Sequence, residues 1–510
     1  MTEPDLIKTG VAGLDDILSG GIPRGNVILV EGAIGCGKTT LGMEFVYQGA
    51  SQFDEPGIIV VFEVSPDKLM RDAMGFGWDL RKLEQEGRLK IVFTTRDVLR
   101  QELQQADSVL LEDAASMGAR RIFIDGIARL VGSDGAPESR AGFHVLTEGL
   151  HRENLTGVLA VEVSSHSAHM STSLPEEAIA DTVIRLRTED NQRAVSRSIE
   201  IVKSRGHDFQ MGIHSFRILG GKGIQVYRRV QAPRKLDRDR AAAFDPTTRL
   251  TSGIPGLDEI INGGYFVGST TVVAGISGVG KSVMGLQFIT EGARRGERSL
   301  MLSLDEQVEQ IQRNAATIGI DLPKLMESGL VRVEYEPPQE IEVDVHFHHI
   351  EELVKEFKPK RVVIDSLSTY GSSLGTGGRV FRDFFHALVA LMKEHQIVAV
   401  YNHENPEMLG MTSMMGSFAM SSLVDNILLM NWVELGDCFR LGLTIAKMRG
   451  NPVNRVTNEC EVFDGKGMQV LPRVLPVRRL PFSTYTGLVS RSPERRPQEA
   501  EAVSSDELSE

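Results

Sequence analysis

Two octapeptides in this chain share one pattern, G-x-x-x-x-G-K-[ST]: Gly32-Ala33-Ile34-Gly35-Cys36-Gly37-Lys38-Thr39 and Gly275-Ile276-Ser277-Gly278-Val279-Gly280-Lys281-Ser282. The spacing suits phosphate binding. Glycines let successive backbone N–H groups turn inward around an anion, and a helix N-terminus adds positive dipole. Lys38 and Lys281 would neutralise the β- and γ-phosphates, while Thr39 and Ser282 would hold Mg²⁺, with Thr40 beside the first loop. Each octapeptide follows an apolar run (residues 27–30 and 270–274) and opens a helical pattern, the strand–loop–helix setting the motif needs. An ATP site in each half is the implied chemistry.

Carboxylates at strand ends extend that chemistry. Asp125 and Asp365 each close a short apolar run, where an acid can orient the water shell of Mg²⁺; the plain alternative is a helix N-cap. Glu63 follows the apolar residues 58–62, and Asp305-Glu306 stands in the same place in the second half. A carboxylate there can take a proton from water or a hydroxyl attacking the γ-phosphate. ATPases of the RecA type carry their catalytic glutamate at this strand end, whereas many other phosphate-loop families do not.

The elements that must position these groups are themselves repeated. Residues 9–50 align without a gap on 252–293, and Lys203-x-Arg205-Gly206 recurs as Lys447-x-Arg449-Gly450. A repeat this long is a duplicated domain rather than a solenoid unit. Apolar runs at 58–63, 121–125, 158–163, 300–304, 362–365 and 398–401 read as strands alternating with amphipathic helices. The expected class is α/β, two tandem domains with mainly parallel sheets. The expected boundaries are 1–230, a charged linker at 231–247, 248–475, and a tail at 476–510 that is disordered or carries a partner peptide.

Composition narrows the setting. The chain has 510 residues, 41% of them hydrophobic, enough for two cores. No stretch is long and apolar enough for a bilayer span, no signal-peptide pattern opens the chain, and the three cysteines lack metal spacing, which together point to the cytoplasm. Cys36 reads as a small filler, with a redox switch as the alternative. Met408, Met411, Met414, Met415 and Met420 read as flexible packing. A net charge of −13 argues against a grip on nucleic acid.

The tandem loops, the openings Thr9-Gly10-Val11-Ala12-Gly13-Leu14-Asp15 and Ser252-Gly253-Ile254-Pro255-Gly256-Leu257-Asp258, the Phe76-Gly77-Trp78-Asp79-Leu80 segment and the two Lys-x-Arg-Gly motifs resemble the KaiC family over residues 1 to about 470. KaiC is a circadian-clock ATPase and autokinase of the RecA/DnaB superfamily. The resemblance implies a homohexamer with ATP between neighbouring subunits. It assigns Lys203, Arg205, Lys447 and Arg449 to the γ-phosphate of the adjacent subunit, where the plain alternative is surface charge. It makes Ser421 and Ser422 the phosphoacceptors, where the family commonly has Ser-Thr; a helix cap is the alternative. The first half reads Glu177-Ala178 there, so kinase activity is expected of the second half only.

Two departures stand out. The family's paired glutamates are Glu63-Val64 in the first half and Asp305-Glu306 in the second, which leaves Glu63 as the base for hydrolysis and Glu306, with Asp305, for phosphoryl transfer. The tail lacks a match to the segment that engages KaiA. The expected partners are therefore a KaiB-like protein and a downstream histidine kinase, without KaiA, nucleic acid or membrane. Two other readings stay open: a RecA/DnaB-like DNA-dependent ATPase, and a nucleotide-gated scaffold with little turnover.

Overall fold

A computed structural model describes residues 5–104, 108–127, 137–163, 175–191, 194–231, 247–374, 378–404 and 420–475. Linker residues 232–246, four of the five methionines singled out above (Met408, Met411, Met414 and Met415) and the tail from residue 476 lie outside them. The chain divides into two compact units, residues 1–230 with 342–349, and the remainder.

Each unit is built on a nine-stranded sheet. In the first the spatial order is Leu89–Phe93, Gly57–Val61, Arg121–Asp125, Thr156–Glu162, Val27–Gly32, Thr182–Asn191, Ala194–Ser204, Ile213–Leu219 and Gly223–Tyr227. Pairing is parallel as far as Thr182–Asn191 and antiparallel beyond it. The second unit repeats that order with Val331–Tyr335, Ser299–Ser303, Arg361–Asp365, Val398–Glu404, Thr270–Gly275, Asn426–Leu435, Cys438–Met448, Thr457–Phe463 and Gly467–Val474. This is the expected α/β class.

The strand before each phosphate loop is central and buried along its whole length. Helices on both faces of a parallel sheet demand that, which is why residues 27–30 and 272–274 read as continuous apolar runs rather than alternating ones. The helices that follow, Lys38–Gln52 and Lys281–Arg294, lie close against the sheet. A buried arginine sets how close. Arg121 is fully buried, pairs with Glu55, and donates to the Phe45 and Lys8 carbonyls at 2.9 and 2.8 Å. Arg361 does the same with Glu297 at 2.8 Å and the Phe288 and Thr251 carbonyls. Both need a glycine overhead: a Cβ on Gly49 would lie 2.3 Å from Arg121 Cδ, and one on Gly292 2.6 Å from Arg361 Cδ.

Strand bounds differ modestly from expectation. The strand expected at 58–63 is Gly57–Val61, because its pairing stops at Val60↔Ile124 on one side and at Val61↔Phe93 on the other. Glu63 therefore sits in the turn beyond the strand. Val398–Glu404 runs three residues past its expected end at 401, held by pairing with the phosphate-loop strand through Gly275↔Glu404. Among the described residues no helix is long and apolar enough to cross a membrane.

Candidate active site

Both phosphate loops have the backbone their glycines were expected to allow. Gly35 and Gly37 take φ of 76° and 110°, and Gly278 and Gly280 take 81° and 88°. Gly37 and Gly280 are the helix N-caps and offer no side-chain cap, so the first-turn N–H groups face the loop. Lys38 Nζ donates to the Gly32 and Ala33 carbonyls at 2.9 and 2.8 Å, and Lys281 Nζ to those of Gly275 and Ile276 at the same distances. Thr40 is half-buried on the first helical turn. Burial pushes the Cys36 thiol up, which keeps it protonated and suits the filler reading.

The hydroxyl and the acid of the first half meet: Thr39 Oγ1 donates to Asp125 Oδ2 at 2.8 Å. Burial pushes the Asp125 carboxyl up, opposed by Thr39 and the Lys38 ammonium. In the second half Asp365 is buried and pushed up likewise, opposed by Ser282 and then Asn402. Hydroxyl and carboxylate oxygens are hard donors that suit Mg²⁺, which takes few protein ligands and completes its shell with water and phosphate oxygens. The donor set therefore fits the metal.

The base candidates are held differently in the two halves. Glu63 is exposed and receives Arg96 Nη2 at 2.8 Å; Arg96 also donates to the Gly126 carbonyl and stacks over Phe62. Arg96 went unnoticed in the sequence because it lies on a later helix and has no counterpart in the repeat. In the second half Thr369 donates to Asp305 at 2.6 Å, and Ser366, Ser368 and Thr369 form a chain of hydroxyls directly after Asp365. Glu306 points elsewhere and accepts from Asn314 at 3.1 Å. Lys281 is pulled down by burial, opposed by Glu404, Asp365 and Asp305, while Asp305 and Glu306 both bear on the Asp365 carboxyl. The neighbouring pair Asp305-Glu306 is thus split in its hydrogen bonds, Asp305 accepting from Thr369 and Glu306 from Asn314.

The Lys-x-Arg-Gly motifs follow matching β-bulges, at Val183/Ile184 opposite Lys203 and at Ile427/Leu428 opposite Lys447. Such bulges re-aim side chains. Arg205 donates to the Ala178 carbonyl at 2.5 Å and approaches Asp181 at 3.7 Å, while burial lowers Lys203. Lys447 donates to the Ser421 and Val424 carbonyls, and Arg449 to the Ser422 carbonyl at 2.7 Å and to Asp425 at 3.2 Å. This grip on the serine segment leaves no signal in the sequence, because its acceptors are backbone carbonyls.

Asp181 and Asp425 in turn accept the Val27 and Thr270 N–H groups, at the start of each phosphate-loop strand. The loops lie at the other end of those strands. Five residue steps of parallel strand separate the two ends, roughly 16 Å. Within one unit the structure brings together lysine, hydroxyl and acid at the loop. It gathers the motif cations and the serine pair at the opposite end.

Comparison with known proteins agrees with this duplicated plan. The family model "ATPase: KaiC" matches residues 7–231 and again 250–474. The circadian clock oscillator protein KaiC of Picosynechococcus is 30% identical over 496 residues, 96% of this chain and 92% of that protein. That of Parathermosynechococcus lividus is 31% identical over 495 residues, 96% and 88%. The circadian clock protein KaiC3 of Synechocystis is 30% identical over 498 residues, 96% and 94%. The chain belongs to the KaiC family of ATPases.

Proposed function

We propose that this chain is a Mg²⁺-dependent ATPase that assembles as a homohexameric ring, each bound ATP being completed by a neighbouring subunit. Its second half transfers the γ-phosphoryl to Ser421 or Ser422 of that neighbour. The protein acts in the cytoplasm as a circadian or other timing regulator, with a KaiB-like partner and a downstream histidine kinase and without KaiA.

The observation that carries this reading is the separation within each unit. An attacking hydroxyl must come within about 3–3.5 Å of the phosphorus. Ser421 and Ser422 precede the strand end that pairs with Thr271, while Lys281 follows the other end at Gly275, roughly 16 Å along the sheet. Transfer to the same unit's serines has no route at that distance, which supports transfer to a neighbour's. Lys447 and Arg449 travel with the serines, so the cations that spread charge over the transferring group arrive from the neighbour too.

The transfer itself balances simply. The serine Oγ–P bond forms, the bond from Pγ to the β,γ-bridging oxygen breaks, ADP leaves, and the hydroxyl proton passes to a carboxylate. Asp305 is better supported as that base than Glu306, given their partners. In the first half Glu63 takes the proton of an attacking water. Thr39 and Asp125, or Ser282 and Asp365, would hold Mg²⁺, which would supply positive charge against the phosphate oxygens.

A mixing experiment tests this. Lys281→Ala chains keep the serines but lose the second nucleotide site; Ser421→Ala/Ser422→Ala chains keep the site but lose the acceptors. Phosphoserine that appears only when the two are mixed and reassembled is the expected result. Its absence from the mixture, with wild type phosphorylated in parallel, rejects transfer between subunits. One observation favours the second reading, a scaffold with little turnover: Arg96 occupies Glu63 in the first half. Phosphate release that vanishes with Glu63→Gln removes that reading.

A further inference from the structure

One strand distinguishes the second site from the first. In the first unit Leu159, Ala160 and Val161 pair with Leu29, Val30 and Glu31 of the phosphate-loop strand. At the matching register of the second unit Tyr401, Asn402 and His403 pair with Val272, Val273 and Ala274. Three polar side chains replace three apolar ones beside the loop.

Asn402 is the most demanding of them. It is 0% exposed, yet neither its amide nitrogen nor its amide oxygen makes a hydrogen bond of full geometry. It lies on the helix side of the sheet, where a Cβ on Gly285 would stand 3.8 Å from Asn402 Nδ2. One step beyond the pair Ile364↔Tyr401, the parallel register brings Asn402 alongside Asp365 on the same face of the sheet. Filling space does not explain the choice. In the first unit the Phe123 ring takes up the space under the helix, 2.1 Å from where a Cβ on Gly42 would be, and Ala160 stands opposite Asp125. The second unit has Val363 there, and an apolar side chain would repay the lost volume at no polar cost. A fully buried amide whose polar atoms make no hydrogen bond of full geometry is expensive, so its polarity is what needs a reason.

The hydroxyl residues suggest that reason. Thr39 is β-branched, restricted in χ1, and donates directly to Asp125 at 2.8 Å. Ser282 lacks the methyl group that restricts it. We propose that Asn402 is a positioning residue of the second nucleotide site, holding the Asp365 carboxylate for the Mg²⁺–nucleotide complex where the first site relies on threonine alone. This rests on the second site binding Mg²⁺-ATP, as proposed above.

The test uses the full chain with the first site silenced by Lys38→Ala, and reads affinity for a fluorescent N-methylanthraniloyl ATP in Mg²⁺ and in EDTA. Asn402→Leu, close in shape and apolar, should weaken binding about tenfold in Mg²⁺ and leave it unchanged in EDTA, with an unfolding midpoint equal to or above the parent's. Asn402→Thr should restore most of the Mg²⁺-dependent affinity. Equal losses in Mg²⁺ and EDTA, or a lowered midpoint with no Mg²⁺-specific loss, would make Asn402 a packing residue and overturn the inference. Unchanged Mg²⁺ affinity in Asn402→Leu overturns it as well. If the Asn402 parent itself binds no nucleotide, the proposed function of the second site fails first and this inference with it.

Discussion

Arg96 Nη2 stands 2.8 Å from Glu63 Oε1, so the base expected for hydrolysis in the first half is already paired with a guanidinium. The pair must open before Glu63 can take a proton. Glu63 is largely exposed, and pairs of that kind are worth about 0.2–1 kcal/mol. Arg96→Gln should therefore raise first-site phosphate release, by up to about fivefold, measured in a Lys281→Ala chain. A drop in rate would show instead that Arg96 orients the carboxylate. Glu63→Gln in the same chain should cost about 10²-fold or more.

The second half makes the opposite kind of prediction, because two carboxylates compete for one role. Asp305 accepts from Thr369, four residues after Asp365, at 2.6 Å, and Glu306 accepts from Asn314. Asp305→Asn should lower the rate of Ser421/Ser422 phosphorylation about 10²-fold, and Glu306→Gln by less than about tenfold. Quantitative phosphopeptide mass spectrometry over time separates the two. A larger loss in Glu306→Gln would mean that nucleotide binding rearranges the 305–306 turn.

Much of this was legible in the sequence, and the limits are physical. The loops, Asp125, Asp365 and the paired motifs stood out because duplication separates constrained residues from drift. The α/β class followed from apolar runs buried on both faces. The grip of Lys447 and Arg449 on the serine segment did not, because the bonds go to backbone carbonyls, which any residue supplies. Arg96 was missed for a different reason: it breaks the repeat. Neither the splitting of Asp305 from Glu306 nor the burial of Asn402 can be read from neighbours in sequence, since both depend on which side of a strand or turn a side chain leaves.

Glu44 gives the chain a pH dependence with a definite sign. It is buried on the first phosphate-loop helix, accepts the Ile224 N–H at 2.8 Å, and burial pushes its carboxyl up to about 8. At the repeated position Gln287 accepts the Met468 N–H and donates to its carbonyl, so protonated Glu44 behaves as a glutamine. The folded state holds this proton more tightly than the unfolded one. Its contribution is complete below about pH 4.5, and is lost as pH rises toward about 8. Glu44→Gln should flatten stability across that window and raise the unfolding midpoint at pH 8. Parallel pH profiles for variant and wild type would show that Glu44 ionises at no cost.

The buried arginines predict where the chain cannot accept a single methyl group. Gly49 and Gly292 sit on the phosphate-loop helices, where Ala would ordinarily be the better helix former by about 1 kcal/mol. A Cβ there would lie 2.3 Å from Arg121 Cδ or 2.6 Å from Arg361 Cδ. Neither arginine can step aside, since each is fully buried and bonded to two backbone carbonyls and a glutamate. Overpacking of this kind costs about 1–3 kcal/mol, and displacing a buried ion pair adds to it. Gly49→Ala and Gly292→Ala should each lower the thermal unfolding midpoint by roughly 5 °C or more. Gln52→Ala, an exposed change on the first of these helices, should leave it unmoved. A midpoint that rises in either glycine variant would mean that helix propensity outweighs the clash, and that the sheet yields to the helix rather than fixing its height.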